Sequence, residues 1–466
     1  MKKFCFAVWM ASVAFSAIAT VPARISAMME NGEFNKVERL IGDGEEGMTA
    51  YESDSVLAII SRIRSDFSLS YDEGVAAIMQ KYPHASSRLI DDWEAANYIE
   101  TKVIDGKKMM FAKSPRNVGL VAPELAVADR YKQMKGAANL ANFARTAIEE
   151  ADADGFGKWR RVKVKFAIDV DADAVDKGKT IRVWMPFPIE SERQANAILL
   201  SSTDKAVFAR DAVHNTIYME RKADGKAAHF EAVMQYDVRS KTISQDAMLR
   251  QLLPYDTSSD IYKKYTAQEL PQIQKSADLN DLAWKIVGNE TNPVLQASLV
   301  FNWIDARFPW AGAREYSTIP CLPRYVLERG YGDCGQVTLL YITLLRNLGI
   351  PARWESGWWL APGDSGMHDW GEVYFEGIGW VPVDMSYGMI AAADTPEVAH
   401  FYKSGMDFYR FAANKGVCGL LSPEKKYVRS ETVDSQLGEV EWDGGNLFYH
   451  KDWHPKFEIL SIEELP

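Results

Sequence analysis

Up to about residue 150, apolar residues recur three and four positions apart, as from Ser55 to Phe67 and from Tyr71 to Gln80. That is the period of helices that bury one face. An alanine-rich stretch then runs into Asp152, Asp154, Gly155 and Gly157, which reads as a helix end and a linker. Beyond it the period falls to two. Val162, Val164, Phe166, Ile168 and Val170 alternate with polar residues, as do Phe230, Ala232, Met234, Tyr236 and Val238. The run IRVWMPFP at 181–188 is a further strand, stopped by prolines. The pattern predicts a helical N-terminal region over 28–150 and a small antiparallel β-sandwich over 156–245.

From 250 to 466 helices come first and strands follow. Asn292-Pro293 opens a helix that carries Val294, Ala297, Val300, Phe301 and Ile304. A second starts at Gly335, carries Val337, Leu340, Tyr341, Leu344, Leu345 and Leu348, and stops at Gly349 with Pro351 beyond. Strands are expected at 352–360, 370–376 and 379–384. Helices followed by an antiparallel sheet make this an α+β domain.

The chain opens differently. Lys2 and Lys3 precede an apolar run from Phe4 to Ala19, with small residues at Ala17/Ala19 and Val21/Ala23. The run is too short for a spanning helix and has the layout of a secretory leader, assigned to 1–27 with cleavage near Ala27. Export would be to the periplasm or the extracellular space, without a membrane span. With 53 basic against 64 acidic residues, a global electrostatic grip on nucleic acid is not expected. Removal of the leader takes Cys5 and leaves Cys321, Cys334 and Cys418, so at least one thiol has no intramolecular partner. A Cys321–Cys418 bridge, a Cys321–Cys334 bridge that would block the nucleophile, and two separately buried thiols all remain open.

Three residues of the last region combine into one mechanism. Cys334 stands at a helix start between Gly332 and Gly335, where unpaired N–H groups and the helix dipole favour thiolate. Its N–H is placed to donate to an oxyanion. His368 lies just before a strand and can act as base and acid. Asp384 ends the next strand and comes near His368 if a hairpin turns through Glu376-Gly377-Ile378-Gly379.

The span from Tyr325 to Asp384 resembles the core of the transglutaminase-like superfamily. The residues that carry the likeness are Arg329-Gly330-Tyr331-Gly332-Asp333-Cys334, Leu344-Leu345-Arg346-Asn347-Leu348-Gly349-Ile350-Pro351-Ala352-Arg353 and Gly379-Trp380-Val381-Pro382-Val383-Asp384. The resemblance implies a papain-like α+β core with a Cys-His-Asp triad that forms a thioester. Cys334 is then the nucleophile, His368 the base and acid, and Asp384 the group that orients the imidazole. Asp369 departs from the pattern, because the family commonly has a small residue after the histidine. The sandwich and helical region before the core are similar to those of multi-domain exported bacterial members.

Seven of the fourteen tryptophans fall between Trp303 and Trp380, as core packing or as the wall of a peptide or sugar groove. Trp310, Tyr316, Gly335, Asp369, Trp370 and Arg410 are the candidates for oxyanion or substrate contacts. Asp407, Arg410 and Asn414 are expected on one face of a helix, as a structural pair or with Arg410 binding a substrate carboxylate. His450 and His454 read as surface residues. No metal or cofactor motif occurs, and no cofactor is implied. The expected activity is cysteine-dependent hydrolysis or transamidation of amide bonds in a peptide, protein or peptidoglycan-peptide substrate. The alternative is a catalytically inactive scaffold of the same fold that binds a peptide or glycan.

Overall fold

The computed structural model describes residues 21–44 and 47–466, without the side chains of 126–138 in the helix Pro123–Glu149. In the N-terminal region, Thr49 and Ser70 close capping boxes with Glu52 and Glu73 and so start the helices Ala50–Asp66 and Tyr71–Lys81. The helical period hides one feature. Leu69–Ser70, Lys107–Met110 and Thr101–Ile104 form a small antiparallel sheet, turned at Asp105-Gly106 with φ of 49° and 79°. An Asp-Gly pair supplies the two positive φ angles that a two-residue hairpin turn requires, and it was the available signal.

Most of the expected leader lies outside the described residues. Its end, from residue 23, begins the helix Ala23–Glu30, whose Ile25 is fully buried in one cluster with Phe34, Val37 and Ile60.

Two antiparallel sheets combine strands from the middle of the chain with its last strands. One sheet runs Trp453–Glu464, Arg160–Val170, Ala228–Val238, Gln194–Ser202; the other runs Gly445–Leu447, Glu439–Trp442, Thr180–Pro186, Thr216–Lys222, Val207–Ala209. The alternating residues Val162 to Val170 face Val183, Met185, Ile217 and Met219 in one buried cluster. The segment after 438 therefore completes the sandwich rather than extending the core.

The core domain packs the helices Ala277–Val287, Pro293–Asp305, Leu322–Arg329 and Cys334–Asn347 on an antiparallel sheet. In the cysteine helix, Leu339, Leu340, Ile342, Leu344 and Leu345 are all fully buried. A helix that is apolar nearly all round belongs at the centre of a domain. The sheet order is Gly379–Val383, Asp364–Phe375, Ala352–Ala361, Arg410–Asn414. The last of these strands corrects the helix expected around Asp407 to Asn414. Phe411 pairs with Trp358 and Arg410 with Trp359, and a Cβ on Gly357 would lie 1.8 Å from the Phe411 carbonyl oxygen. All five residues are buried, so the two-residue alternation that marks a half-exposed strand is missing. Among the described residues, no helix is long and apolar enough to cross a membrane.

Candidate active site

Cys334 is the first residue of its helix. The Asp333 carboxylate before it accepts the Gln336 N–H at 3.2 Å, and the Gln336 side chain accepts the Asp333 N–H at 3.1 Å. The phenol of Tyr316 donates to the same Asp333 oxygen at 2.5 Å. This cap uses the third N–H of the helix and leaves those of Cys334 and Gly335 outside it. Gly335 is required here: a Cβ would come within 2.3 Å of the Tyr316 hydroxyl and 2.7 Å of Asp369 Oδ2.

The thiol donates to Asp369 Oδ2, 3.3 Å away. Burial, and then the charges of Asp369 and Asp333, push the thiol well above its ordinary pKa. The helix terminus favours thiolate by only about 0.3–1 kcal/mol. Burial next to two carboxylates outweighs it and reverses the expected thiolate. Asp369 is itself pushed well up, by burial and then by Asp434 and Asp333. Burial also raises Asp333 to about 6, against the lowering effect of the Tyr316 bond.

His368 stands inside a strand rather than before one, because Asp364–Phe375 begins earlier than its apolar part. Gly371 pairs with Val383 across the hairpin, so Asp384 emerges beside the histidine. Its Oδ2 lies 2.7 Å from His368 Nε2, and its Oδ1 accepts the Ser386 N–H at 3.0 Å. Behind it, Arg410 Nη1 is 3.0 Å from the same Oδ2, and Arg410 Nη2 donates to Asp407 at 2.8 Å. Burial pushes Asp384 up, but His368 and Arg410 together hold it below the usual carboxylate range.

Strand alternation separates these groups. Asp369 lies against Gly335, and a Cβ on Gly371 would touch Ile342 and Thr338, so both residues face the cysteine helix. His368 and Trp370 take the other face, with ring centroids 6.0 Å apart. The structure thus brings His368 to Asp384 and Cys334 to Asp369. Among the described residues no hydrogen bond joins Cys334 to His368. The ring of Tyr387, 5.2 Å from that of His368, is within electrostatic reach of Cys334.

The other candidates divide by exposure. Trp310 is 39% exposed and its backbone bridges to Gly332. Tyr316 is committed to Asp333. Trp370 and Arg410 are 0% and 1% exposed, and the Trp370 indole donates to Glu355. Neither has a surface through which to contact substrate, so the Asp407–Arg410 pair is structural. Buried Trp354 and Trp370 likewise serve packing. Cys321, Cys334 and Cys418 are all free, so no Cys321–Cys418 bridge forms. Among the described residues, no three His, Cys, Asp or Glu side chains are grouped to hold a metal ion.

Sequence reasoning missed Gln436, whose amide donates to the His368 carbonyl at 2.9 Å and to Asp369 Oδ1 at 2.8 Å. It missed Asp434 and Tyr387 as well. All three come from irregular segments, where no period marks a residue as buried.

Residues 280–385 match the sequence model of the transglutaminase-like superfamily. An uncharacterised protein of Haemophilus influenzae is 23% identical over 244 residues, which are 45% of this chain and 64% of that protein. The chain thus spans less than two thirds of that relative. Two solved structures are similar to part of the chain. A candidate cysteine protease from Cytophaga hutchinsonii is 14% identical with a TM-score of 0.43, over 67% of this chain and 94% of its own. The periplasmic domain of TgpA from Pseudomonas aeruginosa is 13% identical with a TM-score of 0.26, over 53% of this chain and 91% of its own. Residues 280–385 of this chain therefore form a transglutaminase-like core.

Proposed function

We propose that the chain is an exported cysteine-dependent amidase acting on a peptide or protein-like substrate through a thioester. The observation that carries this reading is the His368–Asp384 pair at 2.7 Å, backed by Arg410, in the domain whose central helix begins at Cys334. With Nε2 committed to Asp384, the ring's Nδ1 is left to accept a proton. Cys334 Sγ attacks the substrate carbonyl carbon, the thiol proton passes to His368 Nδ1, and the carbonyl electrons move onto oxygen. The first-turn N–H groups of Cys334 and Gly335 are the donors available to that oxyanion. When the tetrahedral centre collapses, His368 protonates the leaving amine, and water then releases the acid. Hydrolysis is preferred to transamidation because no second amine site is identified. Ile25 belongs to the N-terminal core, so we place the leader's cut after Ala19 rather than near Ala27.

The Cys334–Asp369 bond favours a second reading, a scaffold of the same fold without activity. A thiol-directed activity probe separates the two. Labelling of Cys334 that is fast and lost in His368→Ala supports the enzyme; labelling at the rate of an ordinary thiol, whatever stands at 368, supports the scaffold. Cys334→Ala is expected to abolish thiol-dependent amide cleavage while the fold survives, and turnover unchanged in that variant refutes the assignment.

A further inference from the structure

The N-terminal region grips the segment that leads to the cysteine helix. Asn117, 1% exposed, donates to the Gly312 carbonyl at 2.8 Å and accepts the Gly312 N–H at 3.0 Å. Lys113 Nζ donates to the Ala313 carbonyl at 2.8 Å, and Asp66 accepts the Glu315 N–H at 2.9 Å. On its other side the segment pairs with the run before the nucleophile: Ala311 N–H donates to the Gly332 carbonyl at 3.1 Å, and Gly332 N–H to that of Pro309 at 3.3 Å. A buried asparagine that spends both ends of its amide on one glycine fixes that backbone in place.

This grip leaves two side chains outside. Trp310 is exposed beside Gly332, and the guanidinium of Arg116, one residue before Asn117, stands 5.7 Å from its ring centre. Arg116 is exposed, and among the described residues no carboxylate forms an ion pair with it. Two residues of extended chain separate Gly332 from Cys334, a span of at most about 7 Å. An indole face and a guanidinium thus stand beside the run that leads into the cysteine helix. A guanidinium fork matches a carboxylate, and an indole face packs on a peptide plane or an alkyl stem.

We propose that Arg116 and Trp310 form a substrate subsite for a carboxylate-bearing residue, so that the preferred substrate is an acidic peptide. The proposal rests on Cys334 being the nucleophile. Its test uses peptidyl acyloxymethyl ketones on the full chain at low salt, with Glu or its isostere Gln placed in turn at the two residues before the ketone. At one of these positions the Glu reagent is expected to label Cys334 about fivefold faster than the Gln reagent, the size of one well-formed exposed charge pair. In Arg116→Gln that ratio falls to near one, and in the wild type it shrinks as salt is raised. Equal rates at both positions in the wild type, or a preference that survives Arg116→Gln, overturn the subsite and leave the nucleophile assignment standing. Labelling of Cys334 by no reagent overturns that assignment and the subsite with it.

Discussion

Two faces of one strand carry the two halves of the candidate site, and they handle charge in opposite ways. On the face of His368, both acids are paired with a cation: Asp384 with Arg410 beside the imidazole, and Asp407 with Arg410 and the Tyr402 hydroxyl at 2.9 Å. On the face of Asp369, the thiol lies among acids. Asp369 bonds the sulfur, Asp333 caps the helix, and Asp434 raises Asp369 further. The first half is arranged to hold a charge and the second to hold a proton. Under the proposed mechanism this is a site at rest, and the reaction starts when the thiol gives up its proton to His368.

The comparison is broken most severely at Asp384. Asp384→Asn keeps the size of the side chain but removes the charge that fixes the imidazole tautomer. Turnover is expected to fall by about 10³–10⁴, as in other triads that lose this charge. His368-dependent labelling of Cys334 should fall with it. A loss below tenfold would mean that Arg410 or another group orients the ring.

Arg410 tests the same half through stability. It is 1% exposed between two buried carboxylates, and their charges keep it fully protonated against its burial. Arg410→Leu leaves Asp384 and Asp407 uncompensated, at an expected cost of about 3–5 kcal/mol in urea unfolding. The added change Asp407→Asn should restore part of that loss. A single variant within 1 kcal/mol of wild type would show that His368 and Tyr402 suffice.

How far the sequence disclosed these halves follows from where their partners lie in the chain. The His368–Asp384 contact was legible because a hairpin with glycines at 377 and 379 fixes its own register, and the pairing of 371–375 with 379–383 delivers Asp384. The cysteine helix was legible from its apolar spacing and its Gly349 stop. The strand at 410–414 was not, since a strand buried on both faces has no alternation and its composition suits a helix. The return of Trp453–Glu464 to the sandwich depends on pairing with Arg160–Val170, almost three hundred residues earlier, which no local pattern encodes. The carboxylate surroundings of the thiol were hidden for the same reason. Asp369 stood out as an odd neighbour of His368, but its contact with Cys334 needs the helix and strand packed together.

The smallest expected change falls on that contact and sharpens the comparison most. Asp369→Asn keeps the shape and an acceptor oxygen near the sulfur while removing one negative charge from its side. A negative neighbour disfavours thiolate, so its removal lowers the thiol pKa. The pH profile of Cys334 alkylation should then move to lower pH, with faster labelling at a fixed pH on the rising limb. Asp333 still faces the sulfur from the helix side, and burial is unchanged, so the shift stops short of an ordinary surface thiol. His368→Ala acts on the other face and should leave the direction of this shift intact. An alkylation profile identical in wild type and Asp369→Asn would mean that Asp369 is already protonated at working pH, its proton shared with Asp434, and that burial alone keeps the thiol neutral. A profile moved to higher pH would mean that Asp369, as an acid, had been donating to the thiolate. The two faces would then differ in the sign of their charge but not in their readiness to react.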